Sequence, residues 1–305
     1  MIRTYLNRFI FTLAVALGVA ACANSQAQKP ANAGASPARS ADAYAAEALA
    51  TFELQRDGAR SLNLINEAVK QAPNRADLAY LQASLCARMD GCSPEPYDAR
   101  LRKLDPKNAI VWMRALATAQ RQRDAAAEAQ ILDALGRSER FDVYWNPLVA
   151  NLTLARAPTQ QRSEAVLSET IRWLSATIIP EFQPLTLGCS RGRTGDPQWA
   201  ERCRRASRVL MNADTFLAES VGIALARQVT AEPTEIAKLD ERARTAGYLW
   251  RTAADLIAAQ IERDKFAVEQ VKLMKKLRRE QDMHLAIVRW SGRPVVPPAD
   301  FKLEE

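Results

Sequence analysis

The chain has 305 residues, of which 48% are hydrophobic and 25% charged, and a formal net charge of +7. Its one histidine, His284, means that any catalytic triad or multi-histidine metal site would have to run through that side chain. Glycine is sparse and strand-like alternation is hard to find, which excludes a β-rich fold and predicts an all-α chain.

In chain order, the first segment reads "MIRTYLNRFIFTLAVALGVAACANSQ". Arg3 and Arg8 form a basic start, and an apolar run from Phe9 to Ala21 follows, too short for a comfortable transmembrane span. Small residues close the run, the layout of a secretory leader over residues 1–21. The ending "VAAC" resembles a bacterial lipobox: an aliphatic residue, two small residues and Cys22. That resemblance implies lipidation at Cys22, and Ala23 after it implies sorting to the outer membrane. The competing reading is ordinary cleavage near Ala23. Residues 22–43, "CANSQAQKPANAGASPARSADA", are small, polar and aromatic-free, and read as a lipidated cysteine followed by a flexible tether.

Helical spacing begins beyond the tether. It recurs through Phe52, Leu62, Ile65, Ala68 and Val69, then Ile110, Trp112 and Leu116, then Ile131, Leu132 and Leu135. The stretches "NEAVKQAPNRADLAY" and "ARLRKLDPKNAIVWM" each end one helix, turn at a proline, offer Asn as a cap and begin another. Pro73 and Pro106 are 33 residues apart, as are Trp112 and Trp145. This period resembles the tetratricopeptide repeat, a helical hairpin unit, over residues 44–155. On that pattern Ser61, Ile65, Ala68 and Pro73 take the small, bulky, small and proline positions. The hairpin around Pro94 and the unit beginning at Trp112 depart from it. The resemblance implies stacked hairpins whose apolar faces are buried only against one another, leaving a binding surface. An irregular bundle without a groove is the plainer alternative.

Five cysteines are spread along the chain: Cys22, Cys86, Cys92, Cys189 and Cys203. Lipidation of the first leaves four in an exported protein, where disulfides persist. Four cysteines allow three connectivities, and sequence does not choose among them; proximity favours Cys86–Cys92 and Cys189–Cys203. Spacings of five and thirteen intervening residues match neither a zinc site nor a C-x-x-C redox pair. Cys86 ends one predicted helix and Cys92 precedes the next, with Ser93 as cap, so a bridge there staples a hairpin. Asp196 and Pro197 open a helix that contains Cys203, and a bridge to Cys189 pins the loop "LGCSRGRTGDP" onto it.

Residues 156–305 read as a C-terminal helical region with that pinned loop, with helices over 159–178, 197–212, 214–229 and a broken 233–289. The tail "SGRPVVPPADFKLEE" is expected to be extended and to fold back through Val295, Val296 and Phe301. "KLMKKLRRE", residues 272–280, concentrates positive charge; it reads as a solvated face opposite Val271, Met274 and Leu277, with an anionic lipid surface as the functional alternative. Arg3 and Arg8 belong to the leader, so Lys+Arg falls from 42 to 40 against 35 acids, a net of +5. Export makes nucleic acid an unsuitable partner.

No H-E-x-x-H, Walker loop or G-x-G-x-x-G occurs. Glu219-Ser220 in "AESVGIALARQ" resembles the Glu-Ser motif around the catalytic glutamate of lytic transglycosylases, which implies Glu219 as acid and base. The segments that follow in that family are absent, and a solvent-facing Glu219 is the plain reading. His284, one turn from Glu280, reads as an ordinary partly buried histidine. The sequence therefore predicts a non-catalytic envelope lipoprotein on the periplasmic side, anchored through Cys22 and binding a protein partner. No metal or cofactor is expected. The alternative is a peptidoglycan-acting enzyme using Glu219.

Overall fold

The structure, a computed structural model, describes residues 39–157, 163–260 and 262–303. The expected leader, Cys22 and the tether up to residue 38 lie outside these residues. The described chain is all-helical, with fourteen α-helices and no strands among the described residues. Residues Ser40–Leu303 form one compact unit.

The first helix, α1 (Ala41–Ala50), starts inside the expected tether because Ser40 caps it, its hydroxyl accepting from the Ala43 amide at 3.2 Å. A π turn (Thr51–Gln55) follows and ends at Arg56 in the left-handed region. α2 (Gly58–Gln71) buries Ser61, Ile65, Ala68 and Val69, and the Ser61 hydroxyl donates to the Ala48 carbonyl at 2.8 Å. The small residue thus lets α2 lie close on α1 and gives its own polar atom a partner. α3 (Ala76–Ala87) is buried from Asp77 to Cys86, and α4 (Glu95–Leu104) follows the Cys86–Cys92 bond. Pro94, not Ser93, occupies the cap of α4, and it makes no side-chain cap bond.

A short 3₁₀ turn (Ala109–Trp112), capped by Asn108, leads into α5 (Met113–Gln122) and α6 (Ala125–Arg137). Then come α7 (Trp145–Arg156), α8 (Ser163–Ile178) and a short α9 (Gln183–Gly188). α10 (Pro197–Met211) opens as the sequence predicts, with Asp196 accepting from the Gln198 amide at 2.8 Å, and Cys203 is bonded to Cys189. α11 (Phe216–Val229) lies very close on α10. A Cβ at Gly222 would fall 2.6 Å from the Met211 nitrogen, so only glycine allows this approach. The expected broken helix over 233–289 is three helices: α12 (Pro233–Ala258), α13 (Arg263–Lys276) and α14 (Glu280–Trp290).

Neighbours in sequence pack as pairs: α1 on α2, α3 on α4, α5 on α6, α10 on α11. Distant elements also meet. α1 packs on α7, α3 on α8, α6 on α10, and α13 on both α7 and α8. The apolar core is accordingly continuous, from Leu49 and Leu81 through Leu148 and Trp173 to Met283 and Val288. Among the described residues no helix is long and apolar enough to cross a membrane. The two disulfides point to an oxidising compartment outside the cytoplasm.

Candidate functional site

Three segments far apart in sequence meet at a buried polar junction. They are the stretch 138–146 before and into α7, the turn 212–215 between α10 and α11, and the entry to α14 around 277–284. Asp214 is fully buried at its centre. Its two carboxyl oxygens accept from the amides of Val143 and Trp145, each at 3.0 Å, and its own amide donates to the Phe141 carbonyl at 3.1 Å. Its carbonyl accepts from the Glu280 amide at 2.8 Å, so one residue ties all three segments.

Asp142 lies beside Asp214. It accepts from its neighbour's amide, Tyr144, at 2.8 Å and from the Arg278 guanidinium at 3.0 Å. Burial, reinforced by the Asp142 charge, holds the Asp214 carboxyl well above the usual carboxylate range, against the opposing pull of the two amides. Asn108 completes the junction from the other side. Its side-chain amide donates to the Asp142 carbonyl at 2.8 Å and accepts from the Asp142 amide at 2.9 Å, imitating a strand pair. Tyr144 has φ 57°, unusual for a bulky residue. That conformation aims its hydroxyl at Asp105 (2.5 Å), and burial with the Asp105 contact holds the phenol far above its ordinary pKa.

Glu219 is buried, at 5% exposure, not solvent-facing as the sequence reading had it. One carboxylate oxygen accepts from Arg242 at 2.8 Å; the other accepts from Gln281 at 2.8 Å and faces Arg279 at 3.7 Å. Both oxygens are therefore committed to neighbours from α12 and α14. The Thr215 cap, whose hydroxyl accepts from the Ala218 amide, sets Glu219 in the first turn of α11, where an acid suits the helix dipole, but no local signal marks it as buried. Nothing in the sequence marked Asp142 or Asp214.

His284 is buried against the Phe216 ring, 5.1 Å between centroids, and burial lowers its pKa to about 4. It is thus neutral, a packed imidazole more buried than expected. Glu280, one turn away, accepts from the Phe216 amide at 2.9 Å and is pushed up to about 7 by burial. The basic stretch 272–280 divides in two. Lys272, Lys275 and Lys276 are solvated; Arg278, itself exposed, reaches Asp142, and Arg279 donates to the Ala213 carbonyl.

The signs of these shifts give a test. Glu280 titrates near 4.5 when unfolded and near 7 when folded, so its neutral form favours the fold and that contribution is lost as pH rises from 4.5 to about 7. Glu280→Gln should gain stability relative to the native chain between pH 5 and pH 8. At about 1.4 kcal/mol per pKa unit, discounted for partial solvent access, the gain is on the order of 2 kcal/mol. Urea titrations at the two pH values would read it; a difference that stays constant with pH would show a normally titrating carboxyl. His284 acts in the opposite sense, its contribution lost as pH falls from 6.5 towards 4.

Among the described residues, no group of three or more His, Cys, Asp or Glu could hold a metal ion. A shallow polar depression bordered by Glu164, Glu262, Arg263, Asp264 and Lys265 contains none of the junction residues. Comparison with known protein families, with curated proteins and with solved structures finds no match for this chain.

Proposed function

We propose that the protein is an exported lipoprotein that works by binding. Its tetratricopeptide-like hairpins act as a scaffold for a protein partner on the periplasmic side of the envelope, and Cys22 carries the lipid anchor. The observation that carries this reading is the state of Glu219. A catalytic acid needs a carboxyl open to substrate and able to give up a proton. Both oxygens of Glu219 are instead engaged by Arg242, Gln281 and Arg279. The buried acids at the junction are likewise tied to backbone amides and arginines, a use of charge that specifies packing. The pairing of α1 with α2, α3 with α4 and α5 with α6 supports the hairpin scaffold, and the two disulfides support the compartment.

Two experiments test it. Intact mass of the mature amino-terminal peptide should show a lipid-modified Cys22, and Cys22→Ser should shift the protein from the membrane fraction to the soluble fraction or leave it unprocessed. A free amino terminus at Ala23 or Asn24 would end the anchoring part of the reading. Glu219→Gln should cost about 1–3 kcal/mol of stability, because two arginines lose a charged partner, and should leave partner cross-linking in native envelopes intact. Cleavage of purified peptidoglycan by the native chain, abolished by Glu219→Gln in a folded protein, would replace the binding reading with the enzyme reading.

A further inference from the structure

The C-terminal tail does fold back, and the way it is held is informative. It leaves α14 at Trp290, turns at Gly292 (φ +73°) and runs along α12. The hydrogen bonds that hold it on α12 run from side chains of that helix to carbonyls of the tail. Arg244 donates to the carbonyls of Pro297 (3.2 Å), Pro298 (2.5 Å) and Phe301 (3.3 Å). The Tyr248 hydroxyl donates to the Pro294 carbonyl at 3.0 Å. Three of these four acceptors belong to prolines, which have no N–H of their own to satisfy. Phe301 meets Tyr248 edge to face at 5.2 Å, with the Arg251 guanidinium 5.8 Å from its ring centre. The end of Leu303 lies over Gly247, where a Cβ would come within 2.3 Å of it.

This is the chemistry by which proline-rich peptides are read: a guanidinium and a phenol bind carbonyls presented by an extended chain, and an aromatic contact sets the register. Much of the tail is nevertheless solvated: Pro297 is buried and Val295 packs against the core, while Pro294, Val296, Pro298, Ala299, Asp300 and Lys302 are exposed. Much of α12 is exposed too, with Tyr248, Thr252 and Ala253 its buried residues.

We propose that the Arg244–Gly247–Tyr248 face of α12 is a docking site for an extended, proline-rich segment of a partner protein, and that residues 294–303 are its displaceable resident. This deepens the binding reading and rests on it. A second copy of this chain is not the intended occupant. Its tail would offer the same contacts, whereas the resident tail, tied on by Ser291–Arg293, has the higher effective concentration. A partner displaces the tail by adding contacts beyond it.

The test uses the full chain and a labelled peptide, SGRPVVPPADFKL, read by fluorescence anisotropy. Weakening the resident tail with Pro297→Gly and Phe301→Ala should raise binding of the peptide at least tenfold over the native chain. Adding Gly247→Leu, or replacing the peptide's prolines by alanine, should abolish it. In the otherwise native chain, Gly247→Leu should speed tryptic cleavage after Lys302 at least tenfold while the thermal midpoint stays unchanged. Any of three results would overturn the proposal: no peptide binding by the weakened-tail chain, binding insensitive to Gly247→Leu or to the prolines, or a fall in the midpoint that makes the tail part of the core. Dimers formed by tail exchange would assign the face to a second copy. Because the assay uses purified protein, its failure would remove this face alone and leave capture in envelopes to decide the wider binding reading.

Discussion

Asp214→Ala is expected to destabilise the protein by about 3–5 kcal/mol, a large share of the stability of a typical domain. The change leaves the buried amides of Val143 and Trp145, both at 3.0 Å from the carboxyl, without acceptors. Asp214→Asn keeps one carbonyl oxygen for one of the two amides, while its NH₂ faces the other, and should cost about half as much. Chemical denaturation would read both. The pH dependence separates this account from a simple cavity. The Asp214 carboxyl is held above its unfolded value of 3.8, so its contribution is present at low pH and lost as pH rises through its folded pKa. Asp214→Asn should remove that slope. If both variants stayed within about 1 kcal/mol of the native chain, the junction would not be what joins the three segments.

Removing the Cys189–Cys203 bond is the second large effect. The chain-entropy relation gives about 3 kcal/mol for its separation of 14 residues and about 2 kcal/mol for the six-residue separation of Cys86–Cys92. The longer bond also secures a loop with contacts of its own. Trp199 donates to the Gly188 carbonyl at 2.6 Å, and the Arg193 guanidinium lies 3.9 Å from the Trp199 ring centre while pairing with Glu128 at 2.5 Å. Cys189→Ala with Cys203→Ala should therefore lower the unfolding midpoint more than the Cys86/Cys92 double variant does. Accessibility should split the two bonds kinetically. Cys189 and Cys203 are both fully buried, whereas Cys92 is half-buried. Dithiothreitol applied to the folded protein, followed by alkylation and mass analysis, should open Cys86–Cys92 first and leave Cys189–Cys203 until unfolding. Equal rates for the two would contradict this.

Much of this molecule is local and could be read along the chain. The helices followed from apolar spacing because a helix brings every third or fourth side chain to one face whatever it packs against. The Asp196–Pro197 start of α10 was legible because a cap and a first-turn proline act within four residues. Both disulfides followed proximity because a short stretch of chain meets itself most easily. What the sequence alone could not decide is the state of its charged residues. An acid at a polar position of a helix looks the same whether water or an arginine faces it. Glu219 is buried because Arg242 comes from α12 and Gln281 from α14, 23 and 62 residues away. Asp214 is held by amides 71 and 69 residues back, and Arg278 reaches Asp142 across 136 residues. The tail's place on α12 likewise depends on Arg244, 53 residues before Pro297. Periodicity says which face of a helix must be covered; only the tertiary structure decides what covers it, because a buried charge is stable only where distant segments bring its partner.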